Sequence, residues 1–365
     1  MQMRSIGARY RMIERLVRSH LRTFESYRSA RSEMDGLALE REFIYLDANE
    51  LATGSPVSFN DLSLNRYPDP FQRKLRTAIG SRFGIGIEKI FLGVGSDEII
   101  DLLVRLLCEP ANDSVVILEP TYGVYGVSAS LNNVKKVSVP LDGEFQIDID
   151  ATLKAVTPET KIIFCCSPNN PTGNVLRKAD ILKLADSVQC LVVVDQAYDE
   201  FAGPEQVLHP SDLEKRENLL ILKTLSKAWG SAGIRLGYCF AHPDLVSYLM
   251  RIKAPYNINA LTLSAALKAV ASEEFMLSSV KEICRERERL VETLKTHPHV
   301  LRIYPSDANF ILVQFRDPKT VYDRLLNEGI IVRRRSEPLL QHCLRITVGT
   351  ANENSLLLNV LSNIR

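Results

Sequence analysis

Thr224-Leu-Ser-Lys-Ala-Trp-Gly-Ser-Ala-Gly-Ile-Arg-Leu-Gly237 is the stretch on which the reading of the fold turns. It follows Leu219-Leu-Ile-Leu222, an apolar run with the length and aliphatic content of a short buried strand. Lys227 then sits in a Ser-Lys-Ala turn, with Gly230, Gly233, Gly237 and Arg235 just beyond it. Small neighbours let a planar ligand approach the backbone closely. A desolvated lysine can shed its proton and condense with an aldehyde. Arg235, with the hydroxyls of Thr224 and Ser226, offers a grip on a phosphate. Taken alone, the stretch also reads as a strand-loop-strand connection with an incidental lysine. What the other strands deliver decides between the two.

Upstream lie three more continuous runs: Val115-Val-Ile-Leu118, Lys161-Ile-Ile-Phe-Cys165 and Leu191-Val-Val-Val194. Strands buried on both faces read this way. Segments with helical spacing, such as Lys178–Ser187, alternate with them, which predicts an α/β fold with a mostly parallel sheet sandwiched by helices. Further upstream, Phe43–Leu46 predicts a strand, Asn65-Arg-Tyr-Pro-Asp-Pro70 a loop and Phe71–Phe83 a helix. Gly93-Val-Gly-Ser-Asp-Glu98 leads into another helix, with Ser96 as its expected N-cap and Asp97 and Glu98 in its first turn. From about Leu261 the pattern turns helical, including the charged run Lys281–Arg289. Strand-like segments follow at Asn309–Gln314 and Leu344–Val348, then a final helix. The expected organisation is an N-terminal arm (1–31), a large domain (65–255) and a smaller α+β domain built from 32–64 and 256–365.

Composition excludes several classes. The 365 residues carry a net charge of +1, with 45% hydrophobic and 24% charged residues, an ordinary globular profile with no general attraction to nucleic acid or anionic lipid. No apolar run reaches the ~20 residues of a bilayer span. Seven cysteines without C-x-x-C spacing suit a reducing cytoplasm, and six histidines without ligand spacing predict no metal site. The arm is rich in arginine (Arg4, Arg9, Arg11, Arg15, Arg18, Arg22, Arg28 and Arg31), but Glu14 and Glu25 interrupt it and it lacks the apolar core of a secretory signal. A solvated helix is expected there, with Met12 an alternative start.

In an open parallel sheet, ligands bind beyond the carboxyl ends of the strands. The first of these runs is followed by Tyr122 and Tyr125, the second by Asn170 in Ser167-Pro-Asn-Asn-Pro-Thr-Gly173. Asp195 and Tyr198 follow the third, and Lys227 the fourth. Each residue type alone is a common turn or strand-end residue. In conjunction they meet the needs of pyridoxal phosphate. Lys227 would hold its aldehyde and later carry a proton. Asp195 would pair with the ring nitrogen, Asn170 and Tyr198 would donate to the phenolic oxygen, and Tyr122 would stack on the ring. The amides of Gly95, Ser96 and Asp97 at a helix start form an anion site for the phosphate, joined by Thr224, Ser226 and Arg235. The side chains of Asp97 and Glu98 are expected to point away from it.

Ser167–Gly173, Asp195-Gln-Ala-Tyr198, Thr224–Ala228 and Ala232-Gly-Ile-Arg235 together resemble the fold type I aminotransferases of classes I and II, over nearly the whole chain. Asn65–Pro68, Thr121-Tyr-Gly-Val-Tyr125, Tyr27-Arg-Ser-Ala-Arg31 and Cys343-Leu-Arg-Ile-Thr-Val-Gly349 resemble its histidinol-phosphate branch. That resemblance implies a homodimer in which Tyr67 reaches the cofactor phosphate of the other subunit. It implies that Arg345 binds the carboxylate of glutamate or 2-oxoglutarate and the phosphate of histidinol phosphate. Tyr27, Asn49 and Arg333 match positions lining the substrate site. Two departures stand out. Gln196 replaces the usual acid after Asp195, and the run Arg333-Arg-Arg335 is unusually basic, leaving open which arginine meets the substrate phosphate. Aromatic amino-acid aminotransferases use the same machinery, and decarboxylases of phosphorylated amino acids share the fold. A cofactor-sensing regulator would need a DNA-binding domain that the roughly forty residues ahead of the fold are too few to supply.

Overall fold

The computed structural model describes residues 44–46, 49, 51–52 and 67–364, so the arm and Tyr27 lie outside the described residues. Strand β1 (Ile44–Tyr45) comes first. The large sheet is formed by β2 (Ile90–Val94), β3 (Ser114–Glu119), β4 (Lys135–Pro140), β5 (Thr160–Cys166), β6 (Leu191–Asp195), β7 (Leu219–Thr224) and β8 (Leu236–Phe240). Its order is β2-β8-β7-β6-β5-β3-β4. The pairs from β4 through β7 are parallel, and only β8 runs against its neighbours. The four aliphatic runs are thus the centre of the sheet, and β5, β6 and β7 are buried almost throughout. Helices cover both faces, giving two packed apolar layers.

Three strands of this sheet escape the sequence reading for physical reasons. β4 begins with Lys135 and Lys136 and lies at the sheet edge, where one face is solvated. β2 and β8 each carry a glycine, and Gly93 and Gly237 face each other as register partners. A Cβ on Gly237 would lie 2.3 Å from the Ser96 amide nitrogen, and one on Gly93 would lie 2.7 Å from Ile99. The paired glycines therefore open the seat on which the helix Gly95–Leu107 starts. That helix corrects one expectation: Ser96 lies inside its first turn and the N-cap position is Val94. Glu98 substitutes for a capping hydroxyl, its Oε2 accepting from the Val94 amide at 2.6 Å.

The C-terminal sheet is antiparallel, in the order β12 (Arg333–Arg334), β13 (Cys343–Thr347), β10 (Phe310–Phe315), β9 (Val300–Ile303). Strand β1 pairs in parallel with β11 (Ile330–Ile331), tying the early segment to this unit. The 23-residue helix Glu273–Lys295 and the helix Ala351–Ser362 pack together beside it, the latter started by a reciprocal Thr350–Glu353 capping box. We propose that the two domains divide along these sheets. The helix Ala260–Ala271, which packs on Arg73–Phe83, then joins the large unit rather than the small one.

Candidate active site

The sheet topology brings the chosen residues to one edge. β3, β5, β6 and β7 all end there. Because β8 is antiparallel, its start lies beside the ends of β7 and β2, with Thr224 opposite Gly237 and Val94 opposite Leu236. Arg235 takes a left-handed backbone (φ 54°) just before β8, and its carbonyl accepts from the Gly95 amide at 2.9 Å. Gly95 itself needs φ 72°, and a Cβ there would meet the Arg235 guanidinium at 2.7 Å. The Thr224 and Ser226 hydroxyls are 2.9 Å apart on the same turn.

Asp195 is the electrostatic centre. It is 3% exposed, its Oδ2 accepts from the Tyr125 hydroxyl at 2.7 Å and its Oδ1 from the Ala197 amide at 3.1 Å. Burial pushes its carboxyl up to about 6; these two hydrogen bonds and Lys227 pull it down, and Asp97 adds to the rise. A buried carboxylate so poorly compensated is suited to a cationic partner such as a protonated ring nitrogen. Tyr125 was visible in the sequence only as a strand-end aromatic. It stacks on Phe164 at 4.7 Å and meets Tyr122 edge to face at 5.6 Å. The Tyr122 hydroxyl donates to Asp97 Oδ1 at 3.1 Å, and Asp97 Oδ2 lies 3.6 Å from Arg235. The Asp97 side chain therefore turns toward Tyr122 and Arg235, the expected phosphate grip, which corrects the expectation that it points away from the anion site.

The second cluster links the large sheet to the C-terminal one. Asn49 (φ 54°, a conformation asparagine tolerates) donates from Nδ2 to the Tyr198 hydroxyl at 3.1 Å. It is held by Thr347, whose Oγ1 donates to its Oδ1 at 2.8 Å, and by Asn309, whose Nδ2 donates to its carbonyl at 2.9 Å. The Tyr198 oxygen accepts there, which leaves its own proton to donate elsewhere. Burial holds that phenol well above its ordinary value, partly countered by Arg345 and Asn49. Lys227 Nζ lies 5.7 Å from the Tyr198 ring centroid. Arg345, buried on β13, donates to Asn170 Oδ1 at 2.5 Å, so the Asn170 amide offers its NH2 end as a donor. Arg333 is the cross-strand partner of Arg345 and shares its face. Arg334 is exposed and Arg335 is paired with Glu337. Tyr67 lies apart from these groups, 81% exposed and stacked on Tyr256 at 4.5 Å.

The groups fit pyridoxal phosphate. A buried, poorly compensated carboxylate faces the strand-end crevice, a lysine follows the next strand, and a glycine-opened helix start with two hydroxyls supplies an anion cup. Among the described residues, no group of histidine, cysteine and acidic side chains has the arrangement of a metal site, and no helix is long and apolar enough to cross a membrane.

Comparison with known proteins agrees with this geometry. Residues 53–361 match the family model for aminotransferase class I and II. The chain is 46% identical to a histidinol-phosphate aminotransferase of Cytophaga hutchinsonii, over 96% of this chain and 98% of that protein. It is 44% identical to one of Parabacteroides distasonis, with the same coverage. The fold superimposes with a TM-score of 0.87 on the histidinol-phosphate aminotransferase of Sinorhizobium meliloti, crystallised with pyridoxal-5'-phosphate, at 22% identity and over 96% of this chain and 98% of that one. The chain belongs to the class I and II aminotransferases, a pyridoxal-phosphate-dependent family, and within them to the histidinol-phosphate aminotransferases.

Proposed function

We propose that this protein transfers the amino group between L-histidinol phosphate and 2-oxoglutarate, yielding imidazole-acetol phosphate and L-glutamate, in histidine biosynthesis. The observation that carries the reading is the meeting of Lys227, Asp195 and Tyr198 with Asn170 and the buried Arg345 at one sheet edge. Pyridoxal phosphate, when bound, supplies the electron sink that makes the substrate Cα–H acidic. Lys227 anchors it and carries the proton. Asp195 stays ionised against the ring nitrogen, and Tyr198 and Asn170 donate to the phenolic oxygen. Gly95, Ser96, Asp97, Thr224, Ser226 and Arg235 form the phosphate cup, with Tyr122 against the ring. Arg345 presents a two-pronged donor to a carboxylate in one half-reaction and to a phosphate in the other, with Arg333 beside it and Asn49 and Tyr27 lining the substrate.

The working unit in this reading is a cytoplasmic homodimer. Tyr67, Phe71, Tyr248, Ile252, Tyr256 and Leu261 form exposed apolar surface on the large unit, and an isologous partner would cover it. Tyr67 would then reach the partner's cofactor phosphate. The test is a purified-protein assay with histidinol phosphate and 2-oxoglutarate, run against phenylalanine as amino donor. A higher kcat/KM for phenylalanine overturns the substrate assignment.

A further inference from the structure

Behind the Lys227 turn, on the face of β7 opposite Thr224, lies a charged cluster that the proposed chemistry does not use. Lys223 is 4% exposed. Its Nζ donates to Asp199 Oδ1 at 2.5 Å, touches the other carboxylate oxygen, and lies 3.3 Å from Glu200 Oε1. The same Glu200 oxygen accepts from the Trp229 indole at 3.1 Å. Gln196 Nε2 donates to Asp199 Oδ2 at 3.1 Å and to the Leu208 carbonyl at 3.1 Å, and Gln196 Oε1 accepts from the Leu208 amide at 2.9 Å. On the far side, the Arg82 guanidinium sits 5.0 Å over the Trp229 ring and is itself paired with Glu273.

The connectivity matters more than the contacts. Asp199 and Glu200 immediately follow Tyr198, while Lys223 and Trp229 bracket Lys227 at four residues before and two after. Two separate strand-end loops are therefore bolted together from beneath through a buried lysine, two acids whose side chains are 9% and 11% exposed, and an indole. Stability alone is a poor reason for such a cluster, since a well-packed apolar replacement commonly serves as well. Geometric definition is a better one, because a satisfied network admits few alternative arrangements.

Building on the function proposed above, we infer that Lys223, Asp199, Glu200 and Trp229 are positioning residues, a clamp that fixes the Lys227 turn against the Tyr198 loop. Burial, then Asp199, push the Glu200 carboxyl up to about 7, while Lys223 and Trp229 oppose the rise. Both acids hold Lys223 well above its ordinary value against the effect of burial. Tyr238, also facing the pair, is held protonated by burial.

The test uses the holoenzyme with Trp229→Phe, which removes the indole donor, Glu200→Gln, which keeps the shape, and Lys223→Arg, which keeps the charge. Three quantities are read: the pH midpoint of the visible cofactor band, the rate of cofactor release on dilution, and Tm. Release roughly tenfold faster in the first two variants, with a band midpoint moved by about half a pH unit or more, is the expected result. Lys223→Arg should stay near the parent in both. Folded Trp229→Phe and Glu200→Gln proteins that keep the parental midpoint and release rate overturn the clamp, even where Tm falls, because a purely structural role lowers Tm alone. A parent protein without any visible band overturns the cofactor assignment first, and the clamp with it.

Discussion

Asp195→Asn should stabilise the cofactor-stripped protein and weaken the loaded one. The ordinary aspartate value of 3.8 against about 6 here means that an ionised Asp195 costs the native state about 3 kcal/mol. Because the folded value lies above the unfolded one, that cost is absent in acid. It grows as pH rises through the window between 3.8 and about 6, and is complete above it. An asparagine keeps the shape and remains neutral throughout. Urea unfolding of stripped protein at pH 8 should therefore show the variant more stable by about 1–3 kcal/mol, the lower figure allowing for poorer bonds to Tyr125 and Ala197. At pH 4 the advantage should vanish. With cofactor the order reverses, since breaking a buried ion pair costs about 3–5 kcal/mol, a loss of at least a hundredfold in cofactor affinity. A variant equally destabilised at both pH values would refute the reasoning, because the carboxylate would then be stabilised within the native protein rather than waiting for a cation.

Other perturbations separate the parts of the site. Lys227→Ala should abolish the visible band and borohydride trapping of the cofactor; a variant that traps label at the parental level would move the anchor elsewhere. Gly237→Ala places a Cβ 2.3 Å from the Ser96 amide and 2.5 Å from the Gly95 carbonyl carbon. Backbone cannot yield as a side-chain tip does, so a loss of about 2 kcal/mol or more in urea unfolding is expected, together with weaker phosphate binding. Arg345→Lys keeps the charge but loses the planar fork, so KM for glutamate and 2-oxoglutarate should rise about tenfold or more in steady-state assays while the visible band stays parental.

The centre of the fold is legible because its strands are buried on both faces and therefore written as unbroken aliphatic runs. The sheet rule then carries Asn170, Asp195, Tyr198 and Lys227 to one edge without further information. What escapes has two causes. Some elements are defined by what approaches them: Gly93 and Gly237 read as strand breakers until the helix start is seated on them. Others depend on partners far off in the chain. Asn49 is set by Thr347, 298 residues away, and Arg345 by Asn170, 175 residues away, so no local pattern announces either link. Ser96 misled for a related reason. Its type suits an N-cap, but Glu98 reaches the exposed amide first.

The choice between Lys223 and Lys227 shows where local reading ends and burial begins. Both lie at the end of the same apolar strand, and only a neutral amine can attack an aldehyde. A deeply buried lysine ordinarily sheds its proton, so burial alone favours Lys223 as the nucleophile. The two acids after Tyr198 reverse that: they hold the Lys223 proton in place and turn its charge to structural use. Lys227, half-buried beside the Tyr198 ring and on the Asp195 side of the turn, keeps the chemical role. Transplanting the reasoning gives the decisive control: in a Lys227→Ala background the nearby Lys223 should not rescue cofactor trapping at any pH below about 10, because its proton is not available there.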